Sequence, residues 1–115
     1  MSGIFSGLFS NNGVENLDSR TFEEQFKNDE NGVLIDTRTP NEFAMSRIPN
    51  SELIDFMNPG FKNEIEKLDR SKSYYLYCRS GNRSYHAAKL MLNLGFEKVY
   101  NLKPGIIGWH GEIES

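Results

Sequence analysis

From Val14 onward, short apolar runs alternate with amphipathic stretches. Val14 to Leu17 predicts an edge strand. Thr21 and Glu24 form a capping-box pattern that opens a helix through Phe22 and Phe26, with Gly32 as its stop. Val33-Leu34-Ile35 is a continuous apolar run, the pattern of a strand covered on both faces. Thr39 and Glu42 make a second capping box, with Pro40 at the first helical position, leading into Phe43. Leu53-Ile54 predicts a further short strand, and Asn58-Pro59 the cap and first turn of a helix carrying Phe61, Ile65 and Leu68 on one face. Tyr74 to Tyr77 is the next strand. Helix resumes near Ser84 with Ala87, Ala88, Met91 and Leu92, and stops at Gly95, which suits a left-handed cap. Val99-Tyr100 makes a last strand, and Gly105 to Trp109 begins a final helical turn. Strands alternating with helices at these spacings predict one α/β domain, its mostly parallel sheet joined by right-handed crossovers and covered on both faces.

Composition narrows the picture. The 115 residues suffice for one hydrophobic core, and 37% hydrophobic with 25% charged residues fits a globular domain. Residues 1–13, with Ile4, Phe5, Leu8 and Phe9 on one side of a short helix, read as an N-terminal arm, folded back or frayed; residues 14–115 read as the domain. A net charge of −3 and a pI near 5.4 lack the basic excess of a nucleic-acid binder. There is no membrane-length apolar run and no signal-peptide pattern, so a cytoplasmic protein is expected. The single Cys excludes an internal disulfide, and two His without zinc-site spacing predict no metal and no cofactor.

The chemistry concentrates in Cys78-Arg79-Ser80-Gly81-Asn82-Arg83-Ser84, between the end of an apolar strand and the start of a helix, where open α/β sheets bind ligands. A cysteine is nucleophilic as the thiolate, which a helix N-terminus and neighbouring arginines favour. Short polar residues and Gly81 let successive N–H groups curl inward as an anion nest. Arg79 and Arg83 sit where the helix dipole disfavours cations, so an anion is expected between them. A lone Cys could equally be a small core residue; its polar and basic flanks favour reactivity.

Five further segments give that loop a context. Leu34-Ile35-Asp36-Thr37-Arg38 is followed by Pro40-Asn41-Glu42-Phe43. Then come Arg47-Ile48-Pro49-Asn50-Ser51, and Gly95-Phe96 with Val99-Tyr100-Asn101-Leu102, and finally Gly105-Ile106-Ile107-Gly108-Trp109. With the loop, and in this order, they resemble the single-domain rhodaneses, a sulfurtransferase family, over nearly all of residues 14–110. The resemblance implies a rhodanese-like three-layer fold, about five mostly parallel strands flanked by helices on both faces. It implies that Cys78 takes a sulfane sulfur from thiosulfate or a persulfide donor, holds it as a persulfide, and passes it to a thiol or cyanide. Arg79, Ser80, Gly81, Asn82, Arg83 and Ser84 would bind the anion, with Arg79 or Arg83 meeting the sulfonate-like end of the donor. A sulfur-relay protein, thioredoxin or a cofactor-assembly protein is an alternative acceptor. Asp36 and Arg38 are expected to be structural support, as an ion pair or an anchor for neighbouring loops.

The chain departs from the family pattern at Arg47, where His is usual, at Asn50-Ser51 in place of Gly-Ala, and at Pro104 in place of the first Gly. Asn50 can take the left-handed conformation that Gly would supply. Two other readings compete. A phosphatase of related fold would separate Cys and Arg by five residues; Cys78 and Arg83 have four between them. A non-catalytic partner-binding module would commonly lack the Cys or scramble the loop, and both are intact. His86 and His110 are candidate bases without a constellation around them.

Overall fold

The computed structural model describes residues 13–115. The N-terminal arm and its four apolar residues lie outside the described residues, apart from Gly13. The elements run in the order β1 (Glu15–Leu17), α1 (Ser19–Lys27), β2 (Gly32–Asp36), α2 (Pro40–Met45), β3 (Ser51–Leu53), α3 (Phe61–Glu66), β4 (Ser73–Tyr77), α4 (Asn82–Asn93) and β5 (Lys98–Leu102), followed by a 3-10 turn at Ile106–Gly108. The five strands form one parallel sheet in the order β1-β5-β4-β2-β3. β4 is central, and the carboxyl ends of all five strands share one edge, so the loops after them meet there.

Side chains alternate across the sheet. Tyr74 and Leu76 of β4 join Ile35, Val99, Phe61, Ile65, Ala87, Ala88 and Met91 in a core beneath α3 and α4. Tyr75 and Tyr77 face the other way, into a second core with Phe22 of α1, Leu34, Ile48 and Leu102. Every residue of β4 is buried, so this strand must be apolar on both faces. Its tyrosines belong to the core. Tyr75 lies 4.8 Å from Tyr100 in a stacked pair and meets Phe22 edge-on at 5.5 Å.

Several element starts differ from the sequence expectation. The cap of α1 is Asp18, whose carboxylate accepts the Thr21 N–H at 2.8 Å, so Thr21 lies inside the helix. α1 ends at Lys27, and Gly32 opens β2; Asp29 turns the chain between them by accepting the N–H groups of Asn31 and Gly32. Asn58 and Pro59 precede α3: the Asn58 side chain accepts the Gly60 N–H at 2.7 Å in a tight turn, and the helix begins at Phe61. β3 lies at Ser51–Leu53, slightly earlier than Leu53-Ile54 suggested. α4 begins at Asn82, placing Ser84 within its first turn. The Thr39–Glu42 capping box is present in full, with Pro40 opening α2. Asn50 has φ 70°, the left-handed conformation expected of it, and Gly95 ends α4 with φ 99°.

Candidate active site

β4 delivers Cys78 to the carboxyl edge of the sheet, where its side chain is only 1% exposed. The next residues turn sharply at Gly81, whose φ of 94° lies in the region that favours glycine, and the chain enters α4. The N-cap residue of α4, Gly81, has no side chain to cap the helix. The Cys78 sulfur fills that role: Sγ accepts the Gly81 N–H at 3.2 Å, the Ser84 N–H at 3.4 Å and the Ser84 hydroxyl at 3.4 Å. A helix N-terminus supplies unpaired N–H groups and the positive end of a dipole, and both favour a thiolate. Burial works against the charge, yet the Ser84 hydroxyl and the N–H groups of Ser84, Gly81 and Ser80 outweigh it and bring the thiol below its ordinary pKa. Hydrogen bonds lead this shift; of the two loop arginines, Arg83 is coupled to the thiolate through charge and makes no hydrogen bond to it.

The turn is wedged against the segment that follows β5. A Cβ on Gly81 would collide with the Lys103 carbonyl oxygen, and one on Gly105 with the Arg79 carbonyl oxygen. Ile106 N–H donates to the Cys78 carbonyl at 2.9 Å, and Ile107 N–H to that of Arg79 at 3.2 Å. Asn101, buried in β5, donates its side-chain amide to the Gly81 carbonyl at 3.2 Å and to Asn16 of β1 at 2.8 Å. Asn101 thus holds the Gly81–Asn82 peptide from behind, while the N–H of the preceding peptide, that of Gly81, points at Sγ.

The two loop arginines stand differently. Arg79 is exposed and makes no side-chain hydrogen bond or ion pair among the described residues. Arg83 forms a two-point pair with Glu42 of α2, Nη1 to Oε1 at 2.9 Å and Nη2 to Oε2 at 3.1 Å. Thus the anion that offsets Arg83 is a carboxylate of the protein itself. Arg83 holds the Glu42 carboxyl at about 2, against the penalty of partial burial and with help from the Thr39 N–H. Glu42 in turn raises the pKa of Arg83. Ser80 and Asn82 are exposed at the rim.

Asp36 and Arg38, at the end of β2, form a buried pair. Arg38 Nη2 lies 2.6 Å from Asp36 Oδ2, and the Asp36 Oδ1 also accepts the Arg38 N–H at 2.9 Å. Arg38 reaches on to the Ser46 carbonyl at 2.6 Å, which ties the end of α2 to the sheet. Arg47 anchors the C-terminal segment, bridging Glu114 through backbone and side chain. His86 and His110 are exposed. Among the described residues no three His, Cys, Asp or Glu side chains are grouped to hold a metal ion, and no helix is long and apolar enough to cross a membrane.

Sequence reasoning missed the roles of Glu42 and Asn101. The sequence marks Glu42 as a cap, but an N3 carboxylate keeps lone pairs for a distant cation: Oε1 accepts from the Thr39 N–H and from Arg83 together, and Oε2 from Arg83. An amide inside the apolar β5 run was the available signal for Asn101, since buried polar groups need partners.

Residues 17–112 match the family described as the Rhodanese-like domain, and the chain belongs to that family. A sulfurtransferase of Allochromatium vinosum is 37% identical over 101 residues, covering 85% of this chain and 92% of that protein. An adenylyltransferase and sulfurtransferase of Debaryomyces hansenii is 34% identical over 94 residues, which cover 75% of this chain and 21% of the longer protein. Among solved structures, a rhodanese-related protein of Thermoplasma volcanium superposes with a TM-score of 0.75 at 25% identity, covering 87% of this chain and 97% of that one. A Staphylococcus saprophyticus protein gives 0.76 at 22% identity, covering 88% and 99%, a likeness of fold.

Proposed function

We propose that the protein is a sulfurtransferase that carries a sulfane sulfur on Cys78. The thiolate attacks the outer sulfur of a donor such as thiosulfate. A bond forms between Sγ and that sulfur, the donor's S–S bond breaks, and sulfite leaves with the electron pair. An acceptor, a thiolate or cyanide, then attacks the outer sulfur, and Sγ departs as the thiolate. The observation that carries this reading is the buried Sγ facing three donors from Gly81 and Ser84. Such fixed N–H and O–H groups stabilise a sulfur anion at the place where charge develops. The names of the relatives support the same reaction class. The chain has one Cys, so the persulfide cannot be resolved as an internal disulfide and its sulfur must pass to an external acceptor. A phosphatase would turn its loop arginine onto the phosphate, whereas Arg83 is engaged by Glu42.

Protein incubated with thiosulfate and cyanide is expected to release thiocyanate, and mass spectrometry to find one added sulfur on Cys78. Cys78→Ser should abolish both. Thiocyanate release undiminished in that variant, or turnover of an aryl phosphate faster than thiosulfate, would overturn the reading.

A further inference from the structure

We propose that Glu42 is a specificity-determining residue, which by pairing with Arg83 suits the site to thiol-bound persulfide donors over doubly charged ones such as thiosulfate. The inference rests on the sulfurtransferase reading above. It starts from the charges around Sγ. Arg83 stands one residue before Ser84, and a Cys78 thiolate adds to the forces that keep Arg83 charged, so its guanidinium lies within electrostatic reach of the sulfur. Yet both of its terminal nitrogens are bonded to Glu42, and that carboxyl stays ionised far into acid. The pair is nearly neutral as seen from the site. Asp36 and Arg38 cancel in the same way. Of the guanidiniums around the loop, only Arg79, exposed at the rim, is left without a carboxylate partner among the described residues.

The two donor classes differ in the charge that they bring to a thiolate. Thiosulfate adds two negative charges, and its reaction transfers the outer sulfur and expels sulfite. A hydropersulfide, R–S–SH, reacts as Cys78–S⁻ + R–S–SH → Cys78–S–SH + R–S⁻. The new S–S bond forms at the outer sulfur, the old one breaks, the proton travels with the transferred sulfur, and the departing thiolate keeps the electron pair. At the reacting sulfur the persulfide brings at most one negative charge, as R–S–S⁻ once ionised, where thiosulfate brings two. A site whose Arg83 is neutralised, leaving only exposed cations such as Arg79 and Lys103 at its rim, therefore penalises thiosulfate more than the persulfide.

The experiment measures the second-order rate of sulfur loading on Cys78 of the full chain by mass spectrometry. It compares thiosulfate with glutathione persulfide, whose carboxylates lie far from its sulfane sulfur. Wild-type protein should load from the persulfide at least about tenfold faster. Glu42→Gln keeps a residue able to complete the capping box and removes the charge; the thiosulfate-to-persulfide rate ratio should rise about tenfold. Adding Arg83→Gln to that variant restores the original charge balance, and the ratio should return toward the wild-type value. Arg83→Gln alone leaves Glu42 uncompensated and should lower the ratio below wild type, a result that stands independently if Glu42→Gln fails to fold. A ratio unmoved by these charge changes, or thiosulfate as the faster donor to wild-type protein, overturns the assignment to Glu42. Loading from neither donor overturns the sulfurtransferase reading itself.

Discussion

Ser84 supplies two of the three hydrogen bonds to the Cys78 sulfur, one from its backbone and one from its hydroxyl. The hydroxyl is the one that a side-chain change can remove. In Ser84→Ala the thiol pKa should rise back toward the ordinary range, because burial then faces fewer compensating donors. Alkylation of Cys78 by iodoacetamide near neutral pH is expected to slow by about three- to tenfold, the worth of one such bond. The alkylation-against-pH curve should shift to higher pH, while Ser84→Thr, which retains the hydroxyl, should keep the wild-type midpoint. An unshifted curve for Ser84→Ala would remove the hydroxyl from the account. Cys78 itself could be found in the sequence because polar and basic neighbours are poor company for a core residue. Its electrostatics could not. Arg83 and Glu42 lie on different helices, and only the fold shows that the arginine's charge is turned away from the sulfur.

The turn from β4 into α4 depends on backbone that no side chain can replace. Gly81 combines a φ of 94° with a clash between any added Cβ and the Lys103 carbonyl. Gly81→Ala is therefore expected to lower stability by at least about 2 kcal/mol, from backbone strain plus displacement of the neighbouring strand end. Gly95 has a similar φ of 99°, but a Cβ there would meet nothing closer than the Arg70 side chain at 3.7 Å. Gly95→Ala should cost only about 1 kcal/mol. Urea unfolding midpoints for the two variants give the comparison, and equal losses would show that strain alone, without the clash, governs the turn. The elements were legible wherever two local signals agreed. α2 has a capping box and a proline at its first position, and β4 is apolar at consecutive residues. α1 and α3 began elsewhere because Asp18 competed with Thr21 as a cap, and because Asn58 closed a turn onto Gly60 in place of starting the helix. Side chains that cap helices also close turns, so the local pattern alone does not choose between them.

At the scale of the molecule, the Arg83–Glu42 pair joins α4, which follows the central strand, to α2, which follows β2. It makes folding depend on pH. The Glu42 carboxyl titrates at about 2 in the folded protein, below the ordinary value near 4.3 expected when unfolded. The folded pKa is the lower one, so this stabilisation is fully present above the unfolded value and is lost as pH falls through the folded one. Both side chains are about a quarter exposed, and after solvent screening the contribution is about 1–2 kcal/mol. Urea midpoints measured from neutral pH down to about pH 2 should therefore fall less steeply in Glu42→Gln than in the wild type; parallel curves would show that the pair carries no net stability. The parallel sheet and its two covered faces followed from the alternation of apolar runs and helices. The wedge behind the loop did not, because it brings Gly81 against Lys103 and Arg79 against Gly105 across more than twenty positions of chain. That wedge has a consequence for synthesis on the ribosome. When Cys78 leaves the exit tunnel, the later residues that shape its turn have yet to emerge, and the thiol spends that interval as an ordinary cysteine. The set of donors around the Cys78 sulfur comes into being late, when β5 and Gly105 close behind the loop, so a chain interrupted before them would carry Cys78 without that set.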